Sequence, residues 1–283
     1  MTGRDSRGTR TAHALRRSRA AVVALACASA LAATAAGASA LPAPAPPPAR
    51  KACVILLHGL GRTYLSMETL AAALRADGYV VANVDYPSRD ARIERLADEA
   101  VPRGLDDCRQ AQAAPIHVVT HSMGGILTRQ YLKDHDVPEL GRVVMLGPPN
   151  QGSAVADRPM DQAAYRRFNG PAGQQLGTGP DGIAASLGPV DFPLGVLAGR
   201  EVTLVDEFVS EGIPGEGDGK VLVAEARVDG MSDFRVLDAN HTFIVSDPVA
   251  IAEVRHFLRE GRFSPIAPDD AAPPGPAAQA AER

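Results

Sequence analysis

Ser122 lies in residues 116–127, IHVVTHSMGGIL, where an apolar run ends in Thr-His-Ser-Met-Gly-Gly and a helical pattern begins. A serine hydroxyl is a weak nucleophile at neutral pH, so it must be held exposed on a tight turn where a base can reach it. A strand, a serine among small residues and a helix, in that order, form such a turn, the elbow of G-x-S-x-G sequences. Gly124 and Gly125 allow strand and helix to approach closely around it. Thr120 stands where the pattern has its first glycine. An ordinary helix cap is the weaker reading of Ser122 in this context.

A base that activates serine needs a carboxylate to fix its tautomer and stabilise the imidazolium, and in α/β folds with such an elbow the chain order is Ser, acid, His. Ser122, Asp218 and His241 satisfy that order. Asp218 lies in Gly217-Asp218-Gly219-Lys220-Val221, with a strand-like run after it, and His241 follows the stretch FRVLDAN, placing it at the same sheet edge as Ser122. Asp206, Asp229, Asp233 and Asp238 also precede His241, but none has that glycine-flanked setting. His13 falls in the amino-terminal leader, His117 inside a strand, and His135 and His256 on helices; His121 adjoins Ser122 and points away from it along the chain.

A third element is the exit of the first apolar run, VILLHGLGRT, where His58-Gly59-Leu60-Gly61 follows Leu57. Glycines there permit a backbone amide to face a developing oxyanion, and each such donor is worth about 3–4 kcal/mol. Leu60 and Met123 are the expected donors, both through the backbone N–H, so their side chains are unconstrained by this role. His58 reads as a residue that orients the loop rather than as the base.

Something must hold these residues together. Short β-branched runs at 54–57, 79–84, 116–120, 143–146, 194–197 and 234–237 alternate with helical patterns at 66–76, 93–113 (broken at Pro102), 124–135 and 248–260. Continuous apolar strands separated by helices imply an α/β fold: a mostly parallel sheet of about six strands with helices on both faces. Ligands then sit beyond the carboxyl ends of the strands. Residues 151–193, rich in Gly and Pro, form either a cap insertion over the site or a surface excursion, with a helical turn at 163–168.

The flanks differ from this body, which spans 51–263. Arg10, Arg16, Arg17 and Arg19 precede an Ala-rich stretch closed by Ala38-Ser39-Ala40, so residues 1–40 read as a cleaved signal peptide. The stretch is too short and weakly apolar for a membrane span. Residues 41–50 are a Pro-rich linker, and 264–283 a disordered Pro/Ala tail. Secretion or a periplasmic location follows. It leaves Cys53 and Cys108 as the mature cysteines, where either a disulfide or two buried thiols fits.

The formal net charge is −4, but residues 1–40 hold six Arg against one Asp, leaving 23 basic and 32 acidic side chains in the rest. An acidic body with no Trp and 4% aromatic residues argues against nucleic acid and for a neutral or apolar substrate. No His/Cys/Asp cluster has metal-ligand spacing, and Gly59 to Gly61 lack the rest of a dinucleotide motif. Neither metal nor cofactor is expected.

HGLGRT, THSMGG, LGPPNQGS, GDGKV and NHTF together resemble the bacterial lipase/esterase branch of the α/β-hydrolase superfamily over residues 53–263. The resemblance implies hydrolysis of carboxylic esters, of lipids or other apolar acids, through an acyl-enzyme without a cofactor. It carries nucleophile, acid and base onto Ser122, Asp218 and His241, and the oxyanion donors onto Leu60 and Met123. Transient contact with a lipid surface is compatible with it. An amidase, peptidase or acyltransferase with the same residues, or a non-catalytic binding protein, are the competing readings.

Overall fold

The computed structural model describes residues 50–157 and 162–265. The expected leader at 1–40, nearly all of the linker, and the tail from 266 onward lie outside the described residues.

Six strands form one sheet: β1 (Cys53–Leu57), β2 (Val80–Val84), β3 (Ile116–His121), β4 (Leu140–Leu146), β5 (Leu194–Gly199) and β6 (Asp233–Leu237). Their order is β2-β1-β3-β4-β5-β6, and every pairing is parallel. Side chains alternate across a strand, so β1 sends Cys53, Ile55 and Leu57 to one face and Val54 and Leu56 to the other. Both faces are covered, which is why CVILL is apolar throughout and fully buried. The first face packs against α2 (Ile93–Gln110) and α3 (Met123–Asp134); the second packs against α1 (Glu68–Ala76) and α7 (Pro248–Glu260). Helices α4 (Gln162–Gly173), α5 (Leu204–Ser210) and α6 (Val223–Ala226) belong to the excursions beyond β4 and β5.

The expected break at Pro102 does not occur, and α2 runs through it. A proline inside a helix costs about 3 kcal/mol in isolation. Here Ile93, Leu96, Ala97 and Val101 before or beside it, and Gly104, Leu105 and Cys108 after it, are all buried, and that packing outweighs the lost hydrogen bond. A disulfide joins Cys108 to Cys53, with Cα atoms 5.7 Å apart, and so ties the last turn of α2 to the start of β1. Strand β4 begins three residues earlier than its apolar run, because Leu140 pairs with Ile116 ahead of a register shift in β3.

The strand order reverses between β1 and β3: β2 lies to one side of β1, and β3 onward to the other. The crevice beyond the carboxyl ends of β1 and β3 is the place where such sheets bind ligands. Both the His58-Gly59-Leu60 turn and Ser122 emerge there.

Candidate active site

Ser122 joins β3 to α3 with φ 53° and ψ −123°, a left-handed backbone that non-glycine residues rarely adopt. Its N–H is fixed by the Leu146 carbonyl of the adjacent strand at 2.8 Å. The start of α3 lies directly against the exit of β1, since a Cβ on Gly124 would stand 2.5 Å from the Leu57 carbonyl oxygen. Thr120 is fully buried and its hydroxyl has no partner among the described residues.

The geometry brings Ser122, His241 and Asp218 together. His241 Nδ1–H donates to Asp218 Oδ2 at 2.8 Å, which leaves Nε2 to accept from the Ser122 hydroxyl at 3.0 Å. Asp218 Oδ1 is occupied by the N–H groups of Lys220, at 3.0 Å, and Val221, at 2.8 Å. Glycine at 219 is required there, with φ +91° and a Cβ that would fall 2.5 Å from the Asp206 Cβ. The Asp218 carbonyl also accepts the His241 N–H at 3.1 Å, so the two residues are coupled through side chain and backbone.

The other four aspartates lie elsewhere or serve other ends. Asp206 pairs with Lys220 at 2.8 Å; burial works against its charge, but the Lys220 and Thr203 bonds prevail and hold its carboxyl below the usual range. Asp238 pairs with Arg200, Asp233 accepts the Phe234 and Phe263 N–H groups, and the Asp229 carbonyl accepts the Val190 N–H.

His58 is buried with its ring stacked 4.1 Å from Tyr86, and its Nδ1–H donates to the Gly59 carbonyl at 2.9 Å. The Arg62 N–H donates to that same carbonyl at 3.2 Å. Because C=O and N–H point opposite ways across a trans peptide, pinning the Gly59 oxygen turns the Leu60 N–H away from His58. Neither the Leu60 nor the Met123 N–H has a protein acceptor among the described residues.

Sequence reasoning passes over two contributors. His121, which sequence reasoning turns away from Ser122, lines the same cavity as Ser122; its ring lies 4.9 Å from the His241 ring and its Nε2–H donates to the His241 carbonyl at 2.9 Å. Burial, and then the neighbouring His241, hold its pKa well below the ordinary range, so the ring is a neutral strut. Glu225 accepts the N–H groups of Leu222 and Ala154, each at 2.8 Å, and thereby joins the acid loop to the segment after β4. Its carboxyl is raised by burial. Position beside the elbow was a signal for His121; for Glu225 the sequence holds none.

Ser122 and His241 open into a cavity of about 790 Å3, whose apolar walls include Leu60, Pro149, Val155, Phe168, Leu176 and Val221. Phe168 and Leu176 come from the Gly/Pro-rich segment, which therefore lines part of the cavity. That segment is seated on residues 89–94: a Cβ on Gly170 would collide with the Arg89 carbonyl at 1.8 Å, and Gln175 Oε1 accepts the Ile93 N–H at 2.7 Å. Among the described residues no group of side chains could hold a metal ion.

The sequence model of the alpha/beta hydrolase family matches residues 54–263. No curated protein matches the chain. Similar solved structures include a lipase of Bacillus licheniformis in its mature form, at 20% identity and a TM-score of 0.57, covering 78% of this chain and 95% of that one. The propeptide form of the same lipase gives 21% identity and a TM-score of 0.61, over 82% of this chain and 54% of that one. A phospholipase from Legionella pneumophila gives 20% identity and a TM-score of 0.54, over 68% and 53%. At such identities the likeness is one of fold.

Proposed function

The chain belongs to the alpha/beta hydrolase family, and from that premise we propose that it cleaves carboxylic esters of apolar acids through an acyl-enzyme on Ser122. The observation that carries the proposal is the Ser122–His241–Asp218 relay, at 3.0 and 2.8 Å, opening into a largely apolar cavity.

Ser122 Oγ attacks the ester carbonyl carbon as His241 Nε2 takes its proton. The carbonyl oxygen becomes an oxyanion that accepts from the unpartnered Leu60 and Met123 N–H groups. Asp218 stabilises the imidazolium without itself taking the proton. His241 then protonates the departing alkoxide, and water repeats the sequence to release the acid and restore Ser122. Phe168, which lines the cavity at 70% exposure, suits an ester met at a lipid surface. The Cys53–Cys108 disulfide supports a location outside the cytoplasm, in keeping with the arginine-rich leader.

The experiment is hydrolysis of p-nitrophenyl butyrate, together with labelling by a fluorophosphonate probe. Wild type turns over the ester and is labelled at Ser122. Ser122→Ala loses both, with kcat down by about 10^6-fold. Equal rates for wild type and variant would sink the proposal.

A further inference from the structure

Outside residues 1–40 the chain is acidic, yet among the described residues the cavity beside Ser122 is lined by Arg62, Arg89 and Lys220 and by no carboxylate. Lys220 is offset by the buried Asp206. Among the described residues Arg62 and Arg89 form no ion pair. Each is steered by a neutral acceptor that leaves its charge uncompensated. Arg62 Nη2 donates to Thr242 Oγ1 at 3.1 Å, and Arg89 Nη1 donates to the Phe168 carbonyl at 3.1 Å with its guanidinium 5.3 Å from the centre of the Phe168 ring.

The two arginines also line a neighbouring chamber of about 430 Å3, where Asp85 and Asp90 are found. Asp85 is engaged by the Tyr64 N–H at 3.1 Å and lies 3.5 Å from His58 Nε2, and neither Asp85 nor Asp90 lines the cavity beside Ser122. A guanidinium offers five N–H donors in a planar fork that fits a carboxylate or a phosphate, and apolar walls strengthen the attraction. Placement says which half of the ester would carry the anion. The leaving alcohol must lie at His241 Nε2, which protonates it, and Arg62 is bonded to the residue that follows His241 in the chain.

We propose that the site takes anionic esters, in which the alcohol half bears a carboxylate or phosphate held by Arg62 and Arg89. This rests on the Ser122 chemistry above and names the substrate class for it.

The test compares kcat/KM for 4-carboxyphenyl butyrate with that for neutral 4-carbamoylphenyl butyrate, and for butyryl glycerol 3-phosphate with that for monobutyrin. In wild type at low salt, at least one anionic ester exceeds its neutral partner by about fivefold, and the pair with the larger ratio identifies the anion. The ratio falls toward one in Arg62→Gln and further in Arg62→Gln/Arg89→Gln, is partly kept in Arg62→Lys, and shrinks in about 0.5 M salt. Ratios at or below one for both pairs in wild type, or ratios unchanged in the double variant, overturn the proposal. Calorimetric binding of both phenyl esters to Ser122→Ala separates it from the reading beneath it. If no ester is hydrolysed, the hydrolase reading fails alone, and tighter binding of the anionic ester that is lost with Arg62→Gln still upholds the anion site, whereas equal binding removes it.

Discussion

The two ends of the Ser122–His241–Asp218 relay are held by different means. Ser122 stands at the end of β3, a strand buried along its whole length, between β1 and β4 and under α3. Backbone pairing and close packing fix it, down to the Gly124 position that leaves no room for a methyl group against Leu57. Asp218 and His241 sit in loops next to β6, an edge strand that is half-buried for four of its five residues. There the positions are set by side chains that bond backbone: Asp218 to Lys220 and Val221, Glu225 to Leu222 and Ala154, and His121 to His241. Damage to the first region should cost stability, and damage to the second should cost activity in a protein that remains folded.

The strongest test of that contrast is Asp218→Asn. The amide cannot hold His241 in the tautomer that frees Nε2, so kcat should fall by about 10^3- to 10^4-fold, while thermal unfolding moves little. A large drop in melting temperature would show that the loop is as structural as the strand. The opposite break is Cys53→Ala/Cys108→Ala. Opening a cross-link over a separation of 55 residues should lower stability by about 4 kcal/mol in denaturant unfolding, with kcat per folded molecule near wild type. Lost activity in the folded variant would join the two regions.

A third test uses pH. His117, buried in β3, accepts the Arg142 N–H, and burial followed by the Arg142 charge lowers its pKa from 6.5 to about 4. The unfolded chain takes up a proton near pH 6.5 that the folded chain refuses until about pH 4. Stability is therefore full above the upper value and declines as pH falls to the lower, by about 3 kcal/mol for this group. Urea titrations across that window should show the decline, and His117→Gln should flatten it. An unchanged slope in the variant would transfer the effect to His58 and His121, which burial shifts in the same direction. The smallest effect belongs to Glu225→Gln, where an amide meets two N–H donors but can accept from only one without clash. A loss of about 1–2 kcal/mol and a several-fold fall in kcat/KM are expected.

The same division governs what could be read from the residues. Six strands, their parallel arrangement and the Ser122 turn were legible because regular backbone imposes a pattern: apolar runs, glycines at close approaches, and helices between. Chain order and flanking glycines were enough to set Asp218 apart from four other aspartates, and the geometry brings it to His241. Pro102 misled, since the local rule was sound but packing on both sides of it prevailed. Glu225 was illegible because it joins segments distant in sequence with no local pattern to mark it, whereas His121 was marked by its place beside the elbow but its bond to the distant His241 carbonyl was not. The open pair of the disulfide question was settled by where β1 and α2 lie, which spacing alone does not reveal.

The seat of Gly170 on the Arg89 carbonyl has a bearing on how this protein could be altered. Almost any larger residue at that point must lift the overlying stretch from its support, and Phe168 would move with it. A single codon thus acts as a shim beneath one wall of the cavity. Replacing it offers a route to a wider cavity entry without altering Ser122, His241 or Asp218.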